Sequence, residues 1–135
     1  MRIALSSLAL AALATAAGPA CAMDHTIHVG GGGLVFTPSN IEALVGDTVT
    51  FVNDGGFHNV ASDVGSPLAF RCANGCDGAG GDGDVSNASW NATITITAAA
   101  AHGSIGFHCE AHEASGMVGS ISVTNPVDLQ SFSID

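Results

Sequence analysis

Gly106-Phe107-His108-Cys109-Glu110-Ala111-His112-Glu113-Ala114-Ser115-Gly116-Met117-Val118 closes one strand and opens a loop dense in metal donors. Ile105, Phe107 and Cys109 alternate as one face of that strand. From Cys109 to Met117, nine residues hold a thiolate, an imidazole and a thioether. A second imidazole, His58, stands far upstream in Gly56-Phe57-His58-Asn59-Val60. Two imidazoles and a thiolate in one plane, with a weak axial methionine, is the donor set of a mononuclear copper site that passes electrons. Soft sulfur favours Cu(I), and imidazole suits both oxidation states. Each residue also has a plainer reading. A buried cysteine is often a small hydrophobe, a lone methionine fills cores, and a single histidine near a strand is usually a hydrogen-bonded surface group. The joint spacing C-x2-H-x4-M is what lets one loop offer three atoms to one ion.

Outward from this loop the chain reads as short strands and glycine-rich turns, with no helical period sustained over ten residues. Ile27 and Val29 alternate before the break at Gly30 to Gly33. Ile41, Ala43 and Val45 alternate up to a Gly46-Asp47 turn, and Val49 and Phe51 after it. Asn53-Asp54-Gly55-Gly56 is a further turn. Trp90, Ala92, Ile94 and Ile96 share a face opposite Asn91, Thr93, Thr95 and Thr97, and Ile121 and Val123 share one in the last strand. Six or seven short strands at this spacing indicate an antiparallel sandwich or barrel. His58 then follows one turn and Cys109, His112 and Met117 another, so two loops meet at one end, where binding residues tend to lie. Asp63 to Ser89, rich in Gly and Asp, shows no strand pattern and is expected to be a long surface loop. A calcium site is the sharper reading of its carboxylates, but their spacing does not fit the helix-loop-helix pattern. The tail Asn125–Asp135 alternates weakly at Val127 and Leu129, as an edge strand or a disordered end would.

Met1 to Ala22 has one basic residue, an apolar run and Ala20-Cys21-Ala22, the pattern of a secretory signal peptide. Lipidation of Cys21 is the competing reading, which Gly18-Pro19 fits poorly. Residues 23–135 are then expected to form a single domain with no membrane-spanning segment, able to bury roughly two-thirds of its unfolded surface. That part has no lysine and one arginine, Arg71, against twelve acidic residues. The charge therefore disfavours nucleic acid and anionic membranes as partners. Once Cys21 leaves with the leader, Cys72, Cys76 and Cys109 remain. Cys72 and Cys76 are placed to close a small disulfide loop in an oxidising compartment; a C-x3-C metal site is the alternative. Cys109 is left as a free thiolate, which metal ligation explains.

Two stretches, Phe36 to Val60 and Gly106 to Val123, resemble the plastocyanin/pseudoazurin-like branch of the cupredoxins, the blue copper proteins. They cover over a third of residues 23–135 and contain the whole ligand pattern. The resemblance implies an all-β, cupredoxin-like Greek-key β-sandwich of about seven to eight strands. It carries over His58, Cys109, His112 and Met117 as ligands of one type 1 copper ion. It also implies that Asn59 ties the two ligand loops together. Three positions depart from the family. Phe57 and Ala111 stand where proline is frequent, and His108 stands where an aromatic residue precedes the cysteine.

The function expected is single-electron shuttling between redox protein partners through Cu(II)/Cu(I), by a monomer exported to a bacterial periplasm. The acidic balance suits partners with a positively charged docking face. No substrate chemistry is expected. The alternative is copper delivery or storage, for which a Met23-Asp24-His25 amino terminus would offer square-planar Cu(II) ligation, with His28 assisting. The plainer reading of Met23 to His28 is the start of the first strand. A zinc hydrolase on His58, Cys109 and His112 is disfavoured by Met117, and a purely structural sandwich leaves Cys109 unexplained. His102 is expected in a turn and His108 facing solvent.

Overall fold

Two sheets face each other across one apolar core. A computed structural model describes residues 21–124. The expected leader, apart from Cys21 and Ala22, and the tail Asn125–Asp135 lie outside the described residues. The chain order is β1 (Asp24–Gly30), β2 (Phe36–Thr37), β3 (Asn40–Leu44), β4 (Thr48–Gly55), β5 (Val60–Ser62), β6 (Arg71–Ala73), β7 (Gly75–Cys76), β8 (Asn91–Thr95), β9 (Ser104–His108) and β10 (Val118–Thr124). Single 3-10 turns lie at Ala98–Ala100 and Glu113–Ser115. One sheet runs β2-β1-β4-β8 and the other β3-β10-β9-β5-β6-β7. The β1–β4 and β10–β3 pairs are parallel, and the remaining pairs antiparallel. The all-β sandwich is as expected, but its two parallel pairs depart from the antiparallel arrangement read from the alternation, because a period of two does not distinguish strand direction.

The two-residue period of the sequence becomes burial. In β8, Ala92 and Ile94 point inward and their threonine neighbours outward. In β4, Val49, Phe51 and Asn53 are buried on one face. Phe107 from β9 meets Phe36 edge-on at 4.9 Å and Phe51 at 5.4 Å, so one aromatic cluster joins the sheets under the ligand loops. Edge-on aromatic pairs add about 0.5–1.5 kcal/mol beyond their buried area. Asp24 to His28 begin β1, directly after Met23, as the plainer reading has it. His25 Nε2 lies 2.8 Å from Asp47 Oδ2, and His28 Nδ1 2.8 Å from Asp54 Oδ2.

The stretch Asp63 to Ser89 corrects the expectation of a strandless loop. Arg71–Ala73 pairs with β5 and folds back on β7, extending the second sheet by two strands. Cys72 and Ala73 are fully buried. Cys72 and Cys76 form a disulfide, S–S 2.04 Å, which disposes of the C-x3-C metal alternative. Two of the carboxylates here serve Arg71: Asp77 Oδ2 lies 3.0 Å from Nη1 and Asp84 Oδ1 2.7 Å from Nη2.

Candidate metal centre

His58 is held by the geometry of the turn before it. Buried Asn53 donates from Nδ2 to the carbonyls of Gly56 (3.2 Å) and Ala88 (2.9 Å), fixing the turn after β4. The His58 backbone makes a two-way bridge with Ser86, and its carbonyl accepts the indole N–H of Trp90 at 3.2 Å. Gly56 has φ +95°, and a Cβ there would lie 2.5 Å from His58 Nε2. A Cβ at Gly30 would lie 2.9 Å from the same nitrogen. These two glycines let backbone press against the back of the ring.

Cys109 follows β9 directly, and its loop closes on itself. The Cys109 N–H donates to the Met117 carbonyl (3.1 Å), the His112 N–H to the Cys109 carbonyl (3.1 Å), and the Met117 N–H to the His112 carbonyl (3.2 Å). The compact C-x2-H-x4-M spacing is thus a small hydrogen-bonded ring. Met117 is fully buried and shares backbone bonds with both Cys109 and His112.

Three donors converge. His58 Nδ1 lies 3.7 Å from Cys109 Sγ, His112 Nδ1 3.6 Å from Sγ, and the two nitrogens 3.2 Å from one another. With metal–nitrogen and metal–sulfur bonds of about 2.0 and 2.3 Å, donors at these separations reach one ion. His58 and Cys109 are buried and His112 is partly exposed, so the group opens at a single edge. Burial, then the neighbouring His112, holds His58 below the usual imidazole range, with a hydrogen bond at the Gly55 backbone opposing them. A neutral imidazole is the form that ligates a metal. The residues therefore fit a thiolate–imidazole metal in both chemistry and reach.

Asn59 links the two loops. Its Oδ1 accepts the Glu110 N–H at 2.9 Å, and its Nδ2 donates to Glu110 Oε2 at 2.6 Å and to the Gly83 carbonyl at 2.9 Å. The expected tie is present, with a carboxylate added to it. Glu110 and Arg71 are site neighbours that the sequence pattern did not single out for this role. The clue was Arg71, a lone cation among carboxylates. His108 differs from its expectation: it faces away from the core, yet its side chain is only 16% exposed because Asp63 Oδ1 covers Nδ1 at 2.6 Å. Glu113 approaches its other nitrogen at 3.9 Å. The two carboxylates address opposite ring nitrogens. His102 lies in a turn with φ +58°, as expected.

Residues 23–124 match the family described as copper binding proteins, plastocyanin/azurin family. The chain belongs to this family. Among curated relatives, chloroplastic plastocyanin of Oryza sativa subsp. indica is 36% identical over 122 residues, covering 87% of this chain and 73% of that protein. Chloroplastic plastocyanin of Chlamydomonas reinhardtii is 33% identical over 124 residues, covering 90% and 77%. Among solved structures, a pseudoazurin from Sinorhizobium meliloti superposes with TM-score 0.52 at 29% identity, covering 81% of this chain and 80% of that one. A fern plastocyanin, at 22% identity and TM-score 0.55, shares the fold. This cupredoxin is thus of the plastocyanin/pseudoazurin branch, its cofactor is copper, and it is a blue copper electron-transfer protein.

Proposed function

We propose that residues 1–22 leave as a signal peptide and that residues 23–135 act as one copper-binding domain in a bacterial periplasm. His58, Cys109 and His112, with Met117 as the weaker fourth donor, would hold the ion. Copper would supply the Cu(II)/Cu(I) couple that carries one electron. The convergence of three donor atoms within 3.7 Å of one another carries this reading. The protein's part is to keep that convergence the same for both oxidation states. The glycine backing of His58 and the hydrogen-bonded ring from Cys109 to Met117 do so, and burial of His58, Cys109 and Met117 keeps water away.

The electron would enter and leave near His112, the one partly exposed donor. Apolar side chains flank this end: Phe57 beside His58, Leu34 in a cleft with His58, and Val118 in a cleft with Val35 and Gly116. Redox proteins with a positively charged docking face would meet a monomer of this acidic chain. The Cys72–Cys76 disulfide accords with an oxidising compartment. Copper delivery or storage would draw on the Met23 to His28 donors, yet Met23 N and His25 are both engaged by Asp47.

Addition of Cu(II) to the 23–135 chain, followed by reduction, tests the proposal. An intense visible thiolate-to-copper band that bleaches with reductant, and slow loss of copper to a chelator, are expected. Weak bands alone, or rapid loss to the chelator, would favour the delivery reading.

A further inference from the structure

Arg71 is the single cation outside the expected leader, and its guanidinium reaches the loop that carries Cys109. Nε lies 3.0 Å from both Glu110 carboxylate oxygens, and Nη2 2.9 Å from Oε2. The same carboxylate oxygen accepts from Asn59 Nδ2, while the Glu110 N–H donates to Asn59 Oδ1. The other Asn59 amide hydrogen goes to Gly83, and Asn59 is fully buried. Asn59 follows His58 and Glu110 follows Cys109. The spacing between those two donors is therefore fixed through a side-chain chain anchored on Arg71.

The anchor itself is built in. Arg71 pairs with Ala61 of β5 and precedes a cysteine of the disulfide. Asp77 holds Nη1, and Asp84 shares Nη2 with Glu110. Gly83 must lack a side chain, because a Cβ there would lie 2.4 Å from the Arg71 carbonyl, and its N–H is held by Asp77 at 2.8 Å. The Asp63 to Ser89 segment thus presses a charged fork against the ligand loop from outside the sandwich.

We infer that Arg71 and Glu110 are positioning residues of the copper centre, clamping Asn59 so that His58 and Cys109 keep their mutual distance. The inference rests on the ligand assignment proposed above. Without Arg71, the Glu110 carboxylate would turn to water, and the tie between residues 59 and 110 would fall from two hydrogen bonds to one. A planar guanidinium grips a carboxylate with two parallel N–H donors, whereas a lysine offers a point charge. Groups that orient metal ligands without touching the metal typically change affinity by about 10–100-fold when removed.

The test uses the 23–135 chain and its variants Arg71→Met, Arg71→Lys, Glu110→Gln and Asp84→Asn. Each is scored for its Cu(II) absorption bands, for copper affinity by competition with a chelator, and for copper-free melting temperature. Arg71→Met and Glu110→Gln are expected to shift the ratio of the visible bands and to weaken copper binding by about 10–100-fold. Arg71→Lys should fall between them and wild type. Asp84→Asn removes an outer hold on Arg71 whose carboxylate is 74% exposed and leaves the Arg71–Glu110 contact in place, so its bands and affinity should change less than those of Arg71→Met. Wild-type bands and affinity in both Arg71→Met and Glu110→Gln would overturn the inference, even with lowered melting temperatures. If Arg71→Met fails to fold, the nearly isosteric Glu110→Gln decides. A wild-type chain without the intense band would overturn the ligand assignment, and this inference with it, before any variant is read.

Discussion

At Cys109 a single atom distinguishes a redox centre from a colourless one. Cys109→Ser replaces a soft, oxidisable donor by a hard oxygen, and the intense visible band should vanish even if some Cu(II) still binds. Met117→Gln should keep the band and lower the reduction potential measured by voltammetry, because a harder axial donor favours Cu(II). An unchanged potential would count against axial ligation. The glycines behind His58 give an independent check. Gly56→Ala places a methyl group 2.5 Å from His58 Nε2 on a residue at φ +95°, adding a backbone cost of about 1–2 kcal/mol. Weaker copper binding and a lower melting temperature are expected. Gly32→Ala, where a Cβ meets nothing within 4 Å, should leave both unchanged. The ligand residues were legible because their spacing is local and their chemistry unusual. The glycine backing was not: Gly30 lies 28 positions from His58, and Gly56, two positions away, meets the ring only through the fold of the turn between them.

Strands joined by one carboxylate set the acid limit of the fold. Asp47, 2% exposed, accepts the Met23 N–H at 2.9 Å and the Leu44 N–H at 2.9 Å, and lies 2.8 Å from His25 Nε2. It thereby fastens the start of β1 and the end of β3 to the start of β4. Burial pushes the Asp47 carboxyl up, but the bonds from Met23, His25 and Leu44 outweigh it and hold it below the usual range. A carboxyl depressed on folding adds stability above its unfolded value of about 3.9, and that stability is lost as pH falls through the folded value. Urea unfolding should therefore show stability falling below about pH 4. Asp47→Asn should cost about 1–3 kcal/mol at pH 7 and flatten that acid limb; an unchanged limb would place the titration elsewhere. Elements differed in how plainly they could be read. The alternation of Trp90 to Ile96 announced β8 because every second side chain meets the core. β6 and β7 were hidden because a three-residue and a two-residue strand are too short for a period. Their pairing comes from β5 and the disulfide. The Arg71–Glu110 contact, 39 residues apart, is a tertiary fact with no local signature.

On the scale of the whole molecule, charge and apolar surface are separated in function. Twelve carboxylates face one arginine beyond the expected leader, and that arginine is already held by Asp77, Asp84 and Glu110. The long-range field is therefore negative, and it acts on an approaching partner before any contact forms. Phe57, Leu34 and Val118, the side chains of the proposed docking edge, are exposed and apolar. Steering and docking should then respond differently to salt. The screening length shortens from about 30 Å at 0.01 M to about 3 Å at 1 M, which removes steering but leaves apolar contact intact. Stopped-flow oxidation of the reduced protein by a cationic and an anionic metal complex of matched potential measures this directly. At about 0.01 M salt the cationic oxidant should react faster, and the two rates should converge as salt approaches 1 M. Equal rates at low salt would mean that the carboxylates lie too far from the His112 edge to guide an electron partner, leaving them the work of keeping the chain soluble.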